Sequence, residues 1–329
     1  TSTDSKSFFN KSKLNIRSRV SNDLQNRDGF TSGKYQGSKL KSYNRFLYNY
    51  DNNYQAGALV EKDPGELSYT DFTSFHLQVK DVGVVKNFIA GDFVLEYGQG
   101  LALWSPFGFS KGADAVFPVK KRARYLRPYT SAAEYRYYRG ATAQLSFDDF
   151  SLTAFYSNNT FDANIDSITG EITSVGQTGF HRFESELSKK AASKSKVIGG
   201  VLDYKFLSGM NLGVIYYNTS FDNKFESSSI YDLSGNNFNY FSAYYEFNFS
   251  KINFFGEASF DGKSVASING IQFSANRELI FTTSVRSYPR NYINLYGFGF
   301  SEKSGTINNE LGIYSGLKWK IPFGVLNLY

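Results

Sequence analysis

The 329-residue chain has no cysteine, one methionine, two tryptophans, two histidines and six prolines. The lack of cysteine excludes disulfides and thiolate metal sites; it is compatible with an oxidising periplasm without demanding one. No apolar run approaches the roughly 18 to 20 residues that a bilayer-spanning helix requires. Any spanning must therefore be done by strands, each of which needs only about 9 to 11 residues, half of them free to be polar. The start, Thr1-Ser2-Thr3-Asp4, has neither a basic n-region nor an apolar h-region. A secretory signal, where the gene encodes one, is expected to have been removed.

Aromatic residues are abundant instead, at 18% with 25 Tyr and 32 Phe. Their placement is periodic. From Phe241, one set runs Phe241, Ala243, Tyr245, Phe247, Phe249 and the other Ser242, Tyr244, Glu246, Asn248. After a break at Ser250-Lys251, Ile252, Phe254, Gly256, Ala258 and Phe260 alternate with Asn253, Glu257 and Ser259, Phe255 being the exception. Side chains alternate faces along a strand, so this is an amphipathic hairpin with an aromatic face and a polar face. The grammar recurs from Lys13 to Tyr329 and predicts an all-β fold, an antiparallel transmembrane β-barrel of about 14 to 16 strands in one domain, 1–329. Strands are expected, among others, at Asn87 to Tyr97, where Ile89, Phe93, Leu95 and Tyr97 oppose Asp92 and Glu96, and at Tyr292 to Phe300. The bland alternative is a soluble all-β sandwich or an aromatic-rich binding module, whose half-buried strands also alternate.

Two stretches break the rhythm. Residues 158–196 are polar and rich in Ser, Thr, Gly and Lys, and read as a long extracellular loop with a short helix near Glu184 to Ala192. Residues 105–131 carry three prolines and the cations Lys120, Lys121, Arg122, Arg124 and Arg127, continuing to Arg136. A long non-repeating segment of this kind is usually functional or folded on itself. Placed inside a barrel, its cations are expected to face Asp92, Glu96 and Glu134, because buried charges need partners. That arrangement is a salt-bridged plug, or a constriction whose Arg and Lys select anions. The net charge of +6 fits a solvated surface or a basic lumen. Nucleic-acid passage would use the same cations, with Tyr125, Tyr129 and Tyr135 as stacking surfaces. Arg139 falls on the face of Tyr135 and Tyr137, which calls for a bulge or an interface position.

Other constellations have simpler readings. Gly98-Gln99-Gly100 lacks the helix of a phosphate loop and reads as a tight bend or a close backbone approach. Glu61, Asp63 and Glu66 crowd one turn without calcium-loop spacing. A hydrolase at the barrel rim would need His76 or His181 beside an acid and a serine; His76, with Ser74 on its face, is its thin basis, and no nucleophile motif supports it. Neither a metal site nor a cofactor is expected.

Several motifs look familiar: Ala56-Gly57-Ala58-Leu59-Val60-Glu61-Lys62-Asp63-Pro64-Gly65-Glu66, Gly91-Asp92-Phe93, and Tyr97-Gly98-Gln99-Gly100-Leu101-Ala102-Leu103-Trp104. Arg127-Pro128-Tyr129-Thr130-Ser131, Tyr137-Tyr138-Arg139-Gly140-Ala141 and Gly179-Phe180-His181-Arg182 belong with them. Together they resemble the large Bacteroidota envelope proteins with a ComEA-like helix-hairpin-helix segment ahead of a long β-rich region. The resemblance implies a Gram-negative outer membrane, lipid as the surrounding partner, and a role beside other envelope proteins in DNA uptake or secretion. No helix-hairpin-helix segment is present in these residues, so the nucleic-acid partner attaches to a part not seen here. The closing strand Leu326-Asn327-Leu328-Tyr329 is similar to the assembly signal of outer-membrane barrels and is equally read as a cut within a longer β-rich region. The expected function is thus non-enzymatic, porin-like passage or envelope scaffolding through a charged lumen.

Overall fold

The computed structural model describes residues 10–105, 112–206, 209–227, 229–303 and 305–329. Among them are 18 strands in one sheet. In chain order these are β1 (Ser12–Asn22), β2 (Leu40–Tyr50), β3 (Tyr54–Lys62), β4 (Phe72–Val82), β5 (Val85–Glu96), β6 (Tyr125–Pro128), β7 (Tyr138–Phe147), β8 (Phe150–Phe161) and β9 (Ala163–Ile165). There follow β10 (Ile172–Val175), β11 (Ser193–Lys205), β12 (Met210–Phe225), β13 (Gly235–Phe249), β14 (Ile252–Phe260), β15 (Val265–Ser274), β16 (Leu279–Tyr288), β17 (Glu310–Ile321) and β18 (Gly324–Leu328). β6, β9 and β10 are short pieces within long connections, and the others form one antiparallel ladder. Its end strands are β1, paired with β2, and β18, paired with β17; no register joins the two among the described residues.

The sheet wraps around its own contents. Side chains of β4 (Ser74), β8 (Thr153), β14 (Glu257) and β17 (Tyr314) all bond to the connection between β5 and β7, so opposite parts of the ladder face one interior. Connections sort by length between the two ends. Those after β2, β4, β7, β13 and β17 are two or three residues long, whereas 63–71, 97–137, 162–192 and 289–309 gather at the other end. The 162–192 connection holds the β9–β10 hairpin and a helical turn at Glu184–Leu187.

Polarity is inverted relative to a soluble core. Phe75 (54% exposed), Leu77 (60%) and Ile198 (60%) point outward from the wall, while Ser74, His76, Gln78, Thr153, Ser242 and Thr282 are buried within. A soluble sandwich would bury the first set and expose the second. A membrane-type barrel does the reverse, because its outer face meets hydrocarbon. The 241–260 hairpin obeys this: Phe241 pairs with Phe260 on the outer face and Ser242 with Ser259 on the inner one. Phe255 is turned inward and fully buried against Ile268 and Tyr288. The neighbouring Gly270 makes its room, since a Cβ there would lie 2.3 Å from the Phe255 ring.

Two strand expectations are corrected. Tyr292 to Phe300 is not a strand; it is part of an irregular connection buried in the interior. Its alternation is interrupted by Gly297, where a Cβ would sit 2.6 Å from the Leu101 carbonyl oxygen, so the residue serves close backbone packing. In β5, Ile89, Phe93, Leu95 and Tyr97 do not face outward; they are fully buried in the interior cluster. The strand leaves β4 at Gly91, the last residue paired with it, and then pairs with β6. Gly91 permits this with φ +108 and a Cβ position only 2.3 Å from the Phe75 oxygen.

Candidate functional site: an inward plug and its latch

The described residues of two connections, 97–137 and 289–309, fill the interior. Leu101, Ala102, Leu103, Tyr292 and Phe300 are buried there against wall residues such as Ile215, Ala266 and Ile268. Irregular backbone buried in this way exposes carbonyls that strands would have paired, and each needs a donor. Tyrosines supply many of them. The hydroxyl of Tyr217 donates to the Ala102 oxygen at 3.2 Å, Tyr292 to Leu101 at 3.0 Å, Tyr240 to Ile293 at 2.8 Å and Tyr314 to Ala115 at 3.0 Å. Asn294 Nδ2 donates at 2.8 Å to both Leu101 and Ala102 oxygens, tying the two connections together. The abundance of tyrosine thus has a structural use, a rigid apolar body ending in one donor.

The donors of the plug converge on one acceptor. Backbone N–H groups of Gln99 (2.5 Å), Leu101 (3.1 Å) and Ala102 (2.9 Å) point at the carboxylate of Glu257 on β14, which also accepts from the Ser242 hydroxyl at 2.8 Å. A turn of successive N–H groups forms an anion-holding concavity, here filled by the protein's own side chain. Gly98 (φ +58) and Gly100 (φ +82) give the turn its shape. A Cβ on Gly98 would approach Glu257 Oε2 to 2.6 Å. Gly98→Ala is therefore expected to lower stability by about 2 kcal/mol or more, from the left-handed backbone and a displaced carboxylate. Denaturant unfolding of the micelle-folded chain checks it.

The structure distributes the sequence-predicted charges among several partners. Arg124 grips Glu96 through two bonds of 2.6 Å, and Arg127 reaches the same carboxylate at 3.4 Å. Lys120 pairs with Glu246 on β13. Arg122 lies over the Phe117 ring at 5.3 Å. Lys121 is buried over Trp104 at 4.7 Å and Phe298 at 4.9 Å, and burial lowers its ammonium to about 7. Two acidic assignments are corrected. Asp92 does not meet the basic segment; it takes Arg139 Nε at 2.7 Å and Nη2 at 2.9 Å, and its other contact is the Phe75 N–H left free where β5 departs. That register explains the odd face of Arg139, which lies opposite Asp92. Glu134 makes no ion pair or hydrogen bond among the described residues, and Arg136 lies over Tyr135 and Phe298 rather than on an acid. Within 105–131, residues 106–111 lie outside the described residues.

Replacing both Arg124 and Arg127 by alanine strands a fully buried carboxylate at Glu96 and is expected to cost about 3 to 5 kcal/mol. Adding Glu96→Gln should recover a good part of the loss in the same unfolding assay.

Below the latch, Lys120, Lys121, Arg122, Asn211 and Glu246 line a polar cavity of about 830 Å³, open-mouthed. The segment near Thr130 borders another, of about 620 Å³, with Arg17 and Arg19 on its wall.

At the loop end, sequence reasoning missed a cluster around His181. Its Nδ1 meets Asp71 at 2.5 Å and its Nε2 meets Asp162 at 2.7 Å; Lys190 joins Asp71 at 2.6 Å. The backbone N–H of His181 donates to Glu66 at 3.1 Å. The two carboxylates hold the imidazole up to about 10, hence cationic, against the burial that opposes charge. Burial in turn raises Glu134, beside this cluster, to about 9. The four groups Glu66, Asp71, Asp162 and His181 clamp the 63–71 turn to the 162–192 connection. Glu61 and Asp63, considered above for calcium, are bridged by Lys41. Neither histidine is positioned as a base toward serine: both His181 nitrogens are taken by carboxylates, and His76 Nε2 meets Gln55 at 3.1 Å.

No family model matches the chain, and no curated protein is similar to it. Solved structures that resemble it include porins and an outer-membrane protein. A double mutant of the Rh. blastica porin aligns at 15% identity over 94% of this chain and all of that one, with a TM-score of 0.31. OmpT of Vibrio cholerae aligns at 10% identity over 92% and 99%, TM-score 0.31, and Salmonella typhi OmpF with daunomycin at 10% over 98% and 99%, TM-score 0.38. Likeness at this level carries no functional argument; the barrel reading rests on the ladder and its inverted polarity.

Proposed function

We propose that this chain is a bacterial outer-membrane β-barrel, non-enzymatic, whose passage is closed at rest by its own 97–137 segment and opens when that segment withdraws. The observation that carries this is the Glu257 latch: one fully buried wall carboxyl group holds three plug N–H groups. The latch, like the tyrosine and asparagine bonds that also hold the plug, is made by side chains and not by the backbone ladder, so the plug can be released without unfolding the wall. Solute entering the cavity beneath it meets Lys120, Lys121 and Arg122 with Glu246, which pairs Lys120, so the net basic lining gives a weak preference for anions. The resemblance to Bacteroidota envelope proteins supports work beside other envelope components, DNA-uptake or secretion partners included.

Planar-bilayer recording of the refolded chain tests the reading. Wild type is expected to be silent or to open rarely, and Glu257→Ala to give frequent openings with an anion-biased reversal potential. A silent Glu257→Ala barrel that remains heat-modifiable would contradict a gated passage and leave a scaffold role.

A further inference from the structure

β1 and β2 together carry the cations Lys13, Arg17, Arg19, Lys41 and Arg45 and no carboxylate. Period-two alternation puts Lys13, Arg17 and Arg19 on one face of β1, and the register sets Arg17 directly opposite Arg45 on β2. That row continues through Leu59 to Ser74, both buried within the wall, so the three arginines belong to its inner face. Like charges facing each other across a strand pair are destabilising, and a guanidinium cannot give up its proton to relieve them. Elsewhere in this chain Arg124, Arg127, Arg139, Arg182 and Arg286 each meet a carboxylate. Among the described residues Arg17, Arg19 and Arg45 make no ion pair; Arg45 Nε is buried without a hydrogen-bond partner, and Arg19 lies over the Tyr43 ring at 5.5 Å.

Arg17 and Arg19 line the cleft near Thr130, with Tyr43, Glu61, Thr130 and Ser131 sharing the lining. The centre of a water-sized sphere can reach about 290 Å³ of it, whereas one water needs only roughly 10 to 15 Å³ of such space. The cleft therefore has room for a hydrated oxyanion and part of its carrier. Glu61 is the acid on this wall. Arg19 acts on it electrostatically, but Lys41 bridges it at 3.0 Å, which leaves the arginines' charge in excess. Geometry favours phosphate over carboxylate. A guanidinium fork matches two oxygens at once, so a phosphate group with three terminal oxygens can engage two arginines, where a carboxylate is filled by one. We propose that the β1–β2 arginines form a binding site for a phosphate group, carried by a small solute inside the barrel or by a membrane lipid reaching past the outer edge of β1. The site belongs to the wall and rests neither on the Glu257 latch nor on conduction.

Phosphorus NMR and calorimetry on the full chain folded in neutral micelles, with inorganic phosphate and glucose 6-phosphate as probes, test the solute arm. The chain in phosphatidylcholine nanodiscs holding a small fraction of phosphatidic acid tests the lipid arm. At least one of these three is expected to bind, and acetate to bind at least about tenfold more weakly. Arg17→Gln and Arg19→Gln should each weaken binding about tenfold, the scale of one lost charge-assisted contact. Arg17→Lys, which keeps the charge and loses the fork, should fall between Arg17→Gln and wild type. Lys263→Gln, in the β14–β15 turn, removes the same charge far along the ladder and should stay within about twofold. Both arginines are exposed, so their variants are expected to fold, which heat-modifiability checks. Arginine-dependent binding of the soluble probes assigns the phosphate to a solute, and of phosphatidic acid alone to lipid. No arginine-dependent binding in either arm, or acetate bound as tightly as phosphate, would overturn the proposal.

Discussion

Replacing Glu257 by alanine is expected to free the plug while leaving the wall intact. The substitution removes the acceptor of Gln99, Leu101 and Ala102 N–H groups and of the Ser242 hydroxyl. Intramolecular hydrogen bonds contribute roughly 1 kcal/mol each, and buried donors left without partners add a desolvation cost, so the plug should lose on the order of 5 kcal/mol. The wall registers of β13, β14 and β15 do not involve that side chain. Glu257→Gln is the sharper variant. It preserves volume but keeps one acceptor oxygen and turns an NH₂ group toward backbone donors, so it should behave nearly as badly as alanine. Because the chain has no cysteine, a single Ala102→Cys gives an unambiguous reporter. Its thiol is expected to resist a polar maleimide in the otherwise native chain and to react at least tenfold faster in either Glu257 background. Equal reactivity in all three would show that the carboxylate holds nothing.

The second large effect concerns the His181 clamp and its dependence on pH. The imidazole is raised from 6.5 to about 10 in the folded state, so its stabilisation is fully present below pH 6.5 and is lost as pH rises through about 10. Glu134 is raised from 4.5 to about 9; it ionises more readily in the unfolded chain, and this disfavours the clamp increasingly from pH 4.5 to 9. Both act in one direction, toward loosening under alkaline conditions. Asp71, held below its ordinary value by bonds to His181 and Lys190 in spite of burial, loses its contribution only as pH falls below 3.8 and through its folded value. Limited proteolysis within 162–192 should therefore be slowest between about pH 4 and 6 and accelerate from pH 7 to 10. His181→Ala leaves Asp71 and Asp162 facing each other without their cation and is expected to cost about 3 to 5 kcal/mol. Its loop should be cleaved rapidly already at pH 7, and the rise toward pH 10 should largely vanish. A wild-type loop equally resistant at pH 7 and 10 would count against the imidazolium.

The wall was legible in the sequence because period-two alternation dictates which face each residue takes. Phe241 to Phe260 could be assigned face by face, and the long, basic, proline-containing stretch marked the place where the ladder stops. Alternation does not say which side of a strand is lipid when the interior is itself apolar. In β5 the row Ile89, Phe93, Leu95, Tyr97 carries the pattern of a lipid face and packs on the plug. Tyr292 to Phe300 fails for a related reason, since tyrosines serving buried carbonyls mimic a strand's aromatic rhythm. The latch was half visible: Gly98 and Gly100 signalled a backbone turn, but its acceptor lies 155 to 158 residues away and nothing local announces it. The His181 clamp likewise joins residues separated by 19 to 115 positions. The basic segment's charges were countable in the sequence, whereas their partners depend on the path the chain takes across the interior.

The most direct test of a resident, latched plug is native-state amide hydrogen exchange of Gln99, Leu101 and Ala102 in lipid nanodiscs. The account predicts protection comparable to wall amides of β13 and β14, lost selectively in Glu257→Ala. Exchange of these three amides at the rate of an open loop in the wild-type protein would contradict it.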